Sequence, residues 1–423
     1  MPGKLLFGCV ADDFTGGSDA ASFLALGGMK VILCSCVPDR DFVLPDDCEG
    51  VVVALKSRTQ ASADAVADSL AAVAWLKERG AKRFYFKYCS TFDSTPQGNI
   101  GPVTDAILRE TGVQETILCP ALPANDRRVR NGILYVKGVP LAESPMRNHP
   151  LTPMTESRIA ELMTPQGAYE CVEVHLDELR GDVAAVRAKL AAFRTGREHF
   201  YIVTDCDNDA DCERIAELFG TLPFLTGGSG ILTALARKIT GRREGKSTFS
   251  GVAGEAVIVA GSCSTATRAQ ELWYERQGGT TVRLNDAALL EGSETPEAVW
   301  AGIQRLNASA PLIYSYDTPE GLAHKRNAQG AALAGLIERT LSGVAALALK
   351  NGRTRIIAAG GETSGAVTQA LGFKAFWIGD SIAPGVPVMI PVENPKVRLV
   401  LKSGNFGQED FFGRALAATG KET

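Results

Sequence analysis

The chain has 423 residues, 22% of them charged and 45% hydrophobic, with a formal net charge of −4 and a sequence pI near 5.8. That balance excludes a disordered chain and argues against a nucleic-acid binder, whose footprint is a net basic surface. A chain of this length exceeds what one hydrophobic core supports, so two domains with a cleft between them are expected.

From the first residues, short apolar runs alternate with helical patterns: KLLFGCVA, an Ala-rich helix from Ser18 to Leu26, KVILCSCV, VVVALKS, and a helix from about Ala63 to Arg79. RFYFKYCS, ETILCPA and HFYIVTD read as further strands. Strand alternating with helix is the pattern of an α/β domain, a largely parallel sheet flanked by helices. Near Lys238 to Gly254 the composition turns to TGRREGKSTFSGVAGE, rich in Gly, Ser and charge. The domain boundary is placed there, giving residues 1–245 and 246–423. EAVIVAG, APLIYSY and RIIAAGG then alternate with helices again, so a second α/β domain of the same style is expected.

The chain runs directly into a strand from Leu5 to Val10, with no basic stretch leading into an apolar leader. No window has the length of apolar residues that a membrane span needs, so a cytoplasmic location is expected. Ten cysteines lie scattered with no CxxC pair, several inside apolar runs, and are expected to be reduced, buried thiols rather than disulfides or metal ligands.

In open α/β sheets ligands bind at the carboxyl ends of strands, so the residues after each strand are the candidates. The first strand ends in Ala11-Asp12-Asp13-Phe14-Thr15-Gly16-Gly17-Ser18-Asp19, a small, hydroxyl-rich turn opening a helix. Adjacent acids on an extended chain point to opposite sides, so one of Asp12 and Asp13 faces a ligand; equally, Asp13, Thr15 or Ser18 serves only as the helix cap. Two further strands end in Lys56-Ser57-Arg58-Thr59 and Lys87-Tyr88-Cys89-Ser90-Thr91-Phe92-Asp93. Cations and hydroxyls gathered there suit a polyhydroxyl carboxylate, with Arg58 as a bidentate clamp. Cys119 to Arg127 follows another strand, and Arg147-Asn148-His149-Pro150 lies in a Pro-rich loop where His149 reads as structural.

In the C-terminal half VIVAG runs into Gly261-Ser262-Cys263-Ser264-Thr265, and RIIAAG into Gly361-Glu362-Thr363-Ser364-Gly365. Glycine turns at helix N-termini let backbone amides approach phosphates, so two of them in one domain fit a nucleotide. Gly227-Gly228-Ser229-Gly230 and Lys402-Ser403-Gly404-Asn405-Phe406-Gly407 add two more such turns. Gly241-Arg242-Arg243-Glu244-Gly245-Lys246-Ser247 has three spacer residues where a phosphate loop has four, and it follows a helix, so it reads as linker.

Taken together, ADDFTGGSDAA, LKSRT, FKYCSTFDSTPQGNIGPV, CPALPANDR, NHPLTPM, GSCS, AAGGETSGAV, IAPGVP and LKSGNFGQEDFF resemble the four-carbon acid sugar kinase family, in the same order from about Val10 to about Phe412. Within it KYCSTFDST is most similar to the 3-oxo-tetronate kinases, and the departures are small, such as a second glycine at Gly17. The resemblance implies a first domain that binds the acid sugar and a second that binds ATP. Phosphate would go to the C4 hydroxyl of 3-oxo-tetronate, with D-threonate or D-erythronate as alternatives. By motif it implies ATP contacts at Ser262, Ser264, Gly360, Gly361, Glu362, Thr363 and Gly404. Substrate contacts would be Asp12, Asp13, Ser57, Arg58, Lys87, Ser90 and Asp93.

Phosphoryl transfer asks mainly for positioning and charge neutralisation, so Mg²⁺ on the phosphates is assumed, with no residue assigned to it. Asp93 or Asp12 would orient and deprotonate the hydroxyl, while Arg58 and Lys87 hold the carboxylate or the transferring phosphate. An NAD-dependent dehydrogenase of a tetronate, the rival, needs GxGxxG after the first strand and an acid after the second. The sequence supplies DDFTGGSD and Cys34-Ser35-Cys36-Val37 there. A non-catalytic sensor of the acid would not need a separate glycine-turn domain. Exposed sheet edges allow a homodimer; nucleic acid and membrane are not expected partners.

Overall fold

The computed structural model describes residues 5–149, 152–244, 249–315 and 328–421. Pro150 of the Pro-rich loop, Gly245, Lys246 and Ser247 of the linker and Tyr316 of the APLIYSY run lie outside the described residues. The chain divides into two compact units, Met1–Lys246 and Ser247–Thr423.

In the first unit the elements are β1 (Phe7–Ala11), α1 (Phe14–Leu26), β2 (Val31–Cys34), β3 (Gly50–Ala54), α2 (Ser62–Glu78), β4 (Phe84–Lys87), α3 (Ile100–Thr111) and β5 (Glu115–Cys119). There follow β6 (Arg127–Arg130), β7 (Ile133–Val136), β8 (Val139–Pro140), α4 (Ile159–Met163), β9 (Cys171–Val174), α5 (Leu176–Arg180) and α6 (Val183–Arg194). The last are β10 (Phe200–Thr204), α7 (Asp209–Phe219), β11 (Phe224–Gly227) and α8 (Leu232–Thr240). The sheet has the order β2-β3-β1-β4-β11-β5-β10-β9, parallel throughout. Its strands are continuous apolar runs such as FGCVA and GVVVA, buried at every position, as strands covered by helices on both faces must be.

Helix α1 begins at Phe14, four residues before the expected Ser18. Asp13 caps it by accepting from the Gly16 amide at 2.8 Å, so the run read as a turn forms the helix's first turns. The second glycine has a packing cause: a Cβ at Gly17 would stand 2.7 Å from Ala54 Cβ, so α1 lies directly on β3.

Strands β6, β7 and β8 form a small antiparallel sheet. Its first hairpin turns at Asn131 (φ 52°) and Gly132 (φ 74°), the left-handed pair that a two-residue hairpin favours. Asp205, 1% exposed, holds that turn by accepting from the amides of Asn131 at 2.7 Å and Gly132 at 2.9 Å. It also accepts from the Leu176 amide at 3.1 Å.

The second unit contains β12 (Ala256–Ala260), α9 (Thr265–Arg276), β13 (Thr281–Arg283), α10 (Asp286–Glu291), α11 (Pro296–Leu306), β14 (Leu312–Tyr314) and α12 (Ala328–Lys350). It continues with β15 (Arg355–Ala359), α13 (Gly361–Leu371), β16 (Ala375–Ala383), β17 (Val386–Pro391), β18 (Arg398–Lys402) and α14 (Phe411–Thr419). The order is β13-β14-β12-β15-β18-β17-β16, parallel up to β18 and antiparallel through β17 and β16. Ile258, Ile357, Val400, Phe411 and Phe412 lie at the centre of its core.

Two expectations are corrected by burial. Ala332–Lys350, within α12, is long and apolar enough to cross a membrane, with mean hydropathy 1.5. It buries Leu341, Val344, Ala345 and Ala348 in the unit's core, which accounts for its composition. None of the ten cysteines is in a disulfide, but Cys36 and Cys263 are exposed rather than buried, and Cys89 and Cys171 are only partly buried.

Among its described residues the second core also buries a carboxylate, Glu271 of α9, 2% exposed and paired with Arg268 at 3.0 Å. Burial pushes Glu271 up to about 7, against the pull of Arg268.

Replacing Asp205 by Ala strips the acceptor from three amides and is expected to lower unfolding free energy by about 3 kcal/mol or more in urea titration; a loss under about 1 kcal/mol would show the hairpin turn needs no such anchor. Because Glu271 is raised on folding, its contribution is fully present below about 4.5 and is lost as pH rises through about 7. The stability of Glu271→Gln relative to the parent chain is therefore expected to grow by about 2 to 3 kcal/mol between about pH 5 and pH 8; a gap independent of pH contradicts this.

Candidate functional site

In the first unit, register sets the site. Ala11 pairs with Ala54 and with Lys87, so β1, β3 and β4 end level and their following residues meet. Arg58 grips Asp12 with both arms, Nε to Oδ2 at 2.9 Å and Nη2 to Oδ1 at 2.8 Å. The same Nη2 donates to Asp13 Oδ1 at 2.8 Å. The two acids thus converge on one guanidinium, which corrects the expectation that they point apart, and Arg58 is not an unoccupied clamp. Burial would pull the Arg58 guanidinium down, but Asp12 and Asp13 hold it well above its ordinary value.

Asp12, Ser57, Arg58, Asp93, Ser94 and Asn99 line a narrow cavity. Among the described residues Ser57 Oγ is buried there without a hydrogen-bond partner, as a hydroxyl-seeking position would be. Asp93 Oδ1 accepts from Thr91 Oγ1 at 2.6 Å. Between them Phe92 has φ 50°, a strained conformation for a bulky residue, held by burying its ring edge-on against Tyr88 at 5.4 Å. Ser90 lies in the turn after β4 and does not line the cavity. Neither does Lys87, which is 3% exposed and donates to the Tyr88 carbonyl at 2.7 Å. A Cβ at Gly16 would collide with Oδ1 of the capping Asp13 and come within 3.2 Å of Lys87 Nζ, so a side chain there would disturb the cap of α1.

Two contributors escaped the sequence reading. Asn99 Nδ2 donates to the carbonyls of Ser57 at 2.7 Å and Gln60 at 3.0 Å, fixing the loop that carries Arg58. Asp19, buried in α1, bonds Ser229 from far along the chain, and burial pushes its carboxyl up against the pull of Lys87. The turn at Gly227 to Gly230 therefore belongs to the first unit, not with the nucleotide turns. His149 Nδ1 accepts from the Thr152 amide at 3.1 Å and braces its own loop.

In the second unit β12, β15 and β18 are neighbours, Ala260 pairing with Ala359 and Ala359 with Lys402. Their ends bring Ser262, Ser264, Gly360, Gly361, Thr363 and Gly404 together. A Cβ at Gly404 would collide with Ser262 Oγ, and one at Gly360 (φ 123°) would stand 3.3 Å from Ser262 Cβ. Ser264 caps α9 and donates to the Gly404 carbonyl at 2.6 Å. Helix α13, by contrast, starts at Gly361 with no side-chain cap, and the space around Gly361 and Gly365 is open. Open amides at a helix N-terminus fit a phosphate. Glu362, in that first turn, shares a hydrogen bond with Glu338 of α12, which burial and that bond push up.

Beneath these turns the inward face of α9 is polar at Thr267, Gln270 and Glu271, a spacing that places all three on one helix face. Thr267 Oγ1 donates to the Gly404 carbonyl at 2.8 Å. Gln270 Nε2 donates to the carbonyls of Phe406, Gly407 and Gln408 at 3.0, 3.1 and 3.0 Å.

A sugar-binding N-terminal domain family matches residues 7–235, and a nucleotide-binding C-terminal domain family matches residues 257–412. The chain is 42% identical over 419 residues to a 3-oxo-tetronate kinase of Pectobacterium atrosepticum, covering 96% of this chain and 98% of that one. It is 42% identical over 420 residues to a 3-oxo-tetronate kinase of Salmonella typhimurium, covering 97% and 98%. A crystal structure from Salmonella typhimurium LT2, described as a tRNA synthase, superposes with a TM-score of 0.90 at 40% identity, covering 97% and 98%. The chain belongs to the four-carbon acid sugar kinase family.

Proposed function

We propose that the chain transfers the γ-phosphate of ATP to the C4 hydroxyl of 3-oxo-tetronate, giving 3-oxo-tetronate 4-phosphate. Residues 1–245 hold the acid sugar and residues 246–423 the nucleotide. The observation that carries this reading is the gathering of glycine-bearing strand ends around the uncapped N-terminus of α13, a cradle for phosphate rather than for a nicotinamide dinucleotide at β1. Relatives named for this substrate over nearly the whole chain support its identity. A tRNA substrate is disfavoured by the net charge of −4.

In the first unit, Arg58 keeps further N–H donors beyond the three hydrogen bonds it gives to Asp12 and Asp13, and these take the substrate carboxylate. Ser57 receives a hydroxyl. Both oxygens of Asp12 are engaged by Arg58. Asp93, on the same cavity, is the base that orients the C4 hydroxyl and takes its proton. Lys87 acts as fixed positive charge behind Asp13 and Asp19. In the second unit the amides at Gly361 to Thr363, with Ser262 and Ser264, hold the phosphates. Bound Mg²⁺ would neutralise phosphate charge, and Glu362 with Glu338 would be the carboxylates to hold it.

A coupled ADP-release assay over D- and L-threonate, D- and L-erythronate and their 3-oxo forms is expected to give its highest kcat/KM with a 3-oxo acid. Preference for a threonate or erythronate would move the substrate within the family, and ADP release with none of them would overturn the reading. Asp93→Asn is expected to cut kcat by about 10²- to 10⁴-fold with ADP affinity unchanged; near-normal turnover in that variant removes Asp93 as the base.

A further inference from the structure

Lys402, the last residue of β18, stands beside the glycine turn of the nucleotide unit, where a lysine invites comparison with phosphate-binding loops. Its surroundings say otherwise. The side chain is 2% exposed, and its ammonium donates to Thr267 Oγ1 at 2.9 Å, the Gly404 carbonyl at 3.0 Å and the Ser403 carbonyl at 3.2 Å. An ammonium has three donors, and three acceptors of this chain take them. The Phe411 ring lies on another side, 5.6 Å from Nζ.

Gly404 is the residue those bonds control. Its carbonyl accepts from Lys402, Thr267 and Ser264 at once, and it packs so closely on Ser262 that no Cβ fits. The rest of the loop hangs from the three carbonyl bonds of Gln270, while Gly407 (φ 82°) leaves no room for a side chain against Phe411. The loop is thus fixed from below by Lys402 and one face of α9. Burial pulls Lys402 down to about 7, with the Glu271 carboxylate opposing that pull.

We propose that Lys402 is a positioning residue of the nucleotide site: through Gly404 and Thr267 it fixes the loop in the shape that receives ATP against Ser262 and Ser264, without touching the phosphates. This rests on the reading that the second unit binds ATP. The test measures ADP affinity by calorimetry, and KM for ATP, KM for the sugar acid and kcat by ADP release, in the full chain and in Lys402→Met and Thr267→Val. Lys402→Met is expected to weaken ADP binding and raise KM for ATP by about 10-fold or more, with KM for the sugar acid unchanged and kcat at saturating ATP within about three-fold of the parent. Thr267→Val removes one of the same hydroxyl bonds at constant size and is expected to move KM for ATP in the same direction by less. A folded Lys402→Met with unaltered ADP affinity overturns the proposal, as does a large loss of kcat at unaltered KM, which would make the lysine a contact of the transferring phosphate. Should Lys402→Met not fold, Thr267→Val decides: unaltered ADP affinity there overturns the proposal. Failure of the unmodified chain to bind ADP removes the ATP reading itself, whereas binding that is equal in parent and variants removes only the role of Lys402.

Discussion

Parallel pairing is the constraint on which both sites depend. Strands that run the same way must leave the sheet at the same edge, so the register Ala11 to Ala54 and Lys87 in one unit, and Ala260 to Ala359 to Lys402 in the other, sets which loops meet. The crossing helices take the chain back to the opposite edge each time, and every loop at the carboxyl edge is free to carry polar chemistry. Arg58 and Asp12 come together because β1 and β3 end level, and Ser262 meets Gly404 because β12, β15 and β18 do.

Charge inside these loops couples binding to stability. The Arg58 guanidinium holds two carboxylates in bonds of 2.8 to 2.9 Å, and removing Arg58 would leave the buried Asp12 carboxylate without these bonds. Substitutions there act on the fold as well as on the ligand. The strain at Phe92 belongs with this: a left-handed phenylalanine persists because its ring is sealed against Tyr88, and it turns the chain between Thr91 and Asp93.

The strands were legible in the sequence because burial on both faces writes a continuous apolar run, as in FGCVA and GVVVA. The start of α1 was not, because Gly16 and Gly17 suggest a turn, whereas one leaves room for the capping Asp13 carboxylate and the other for Ala54. Candidate residues at strand ends were legible as types; their partners were not. That Arg58 faces Asp12 follows from which strand neighbours β1, and that Gly227 to Gly230 serves the first unit follows from β11 lying between β4 and β5. The polar face of α9 was visible as spacing, but nothing in one sequence says that such a face turns inward onto a loop 136 to 138 residues away.

Both units place a buried lysine at the last position of a strand, Lys87 on β4 and Lys402 on β18, 3% and 2% exposed. Each ammonium bonds the carbonyl of the next residue, Tyr88 at 2.7 Å and Ser403 at 3.2 Å. Carbonyls at the carboxyl end of a strand present partial negative charge at the edge where an anionic ligand must arrive. An ammonium that takes them from behind offsets that charge and leaves amide N–H groups to face the ligand. Neither lysine is buried without a counter-charge: Asp13 and Asp19 feel Lys87, and Lys402 feels Glu271. Each lysine thus bonds the backbone just past the end of its own strand, Lys87 in the first unit and Lys402 in the second.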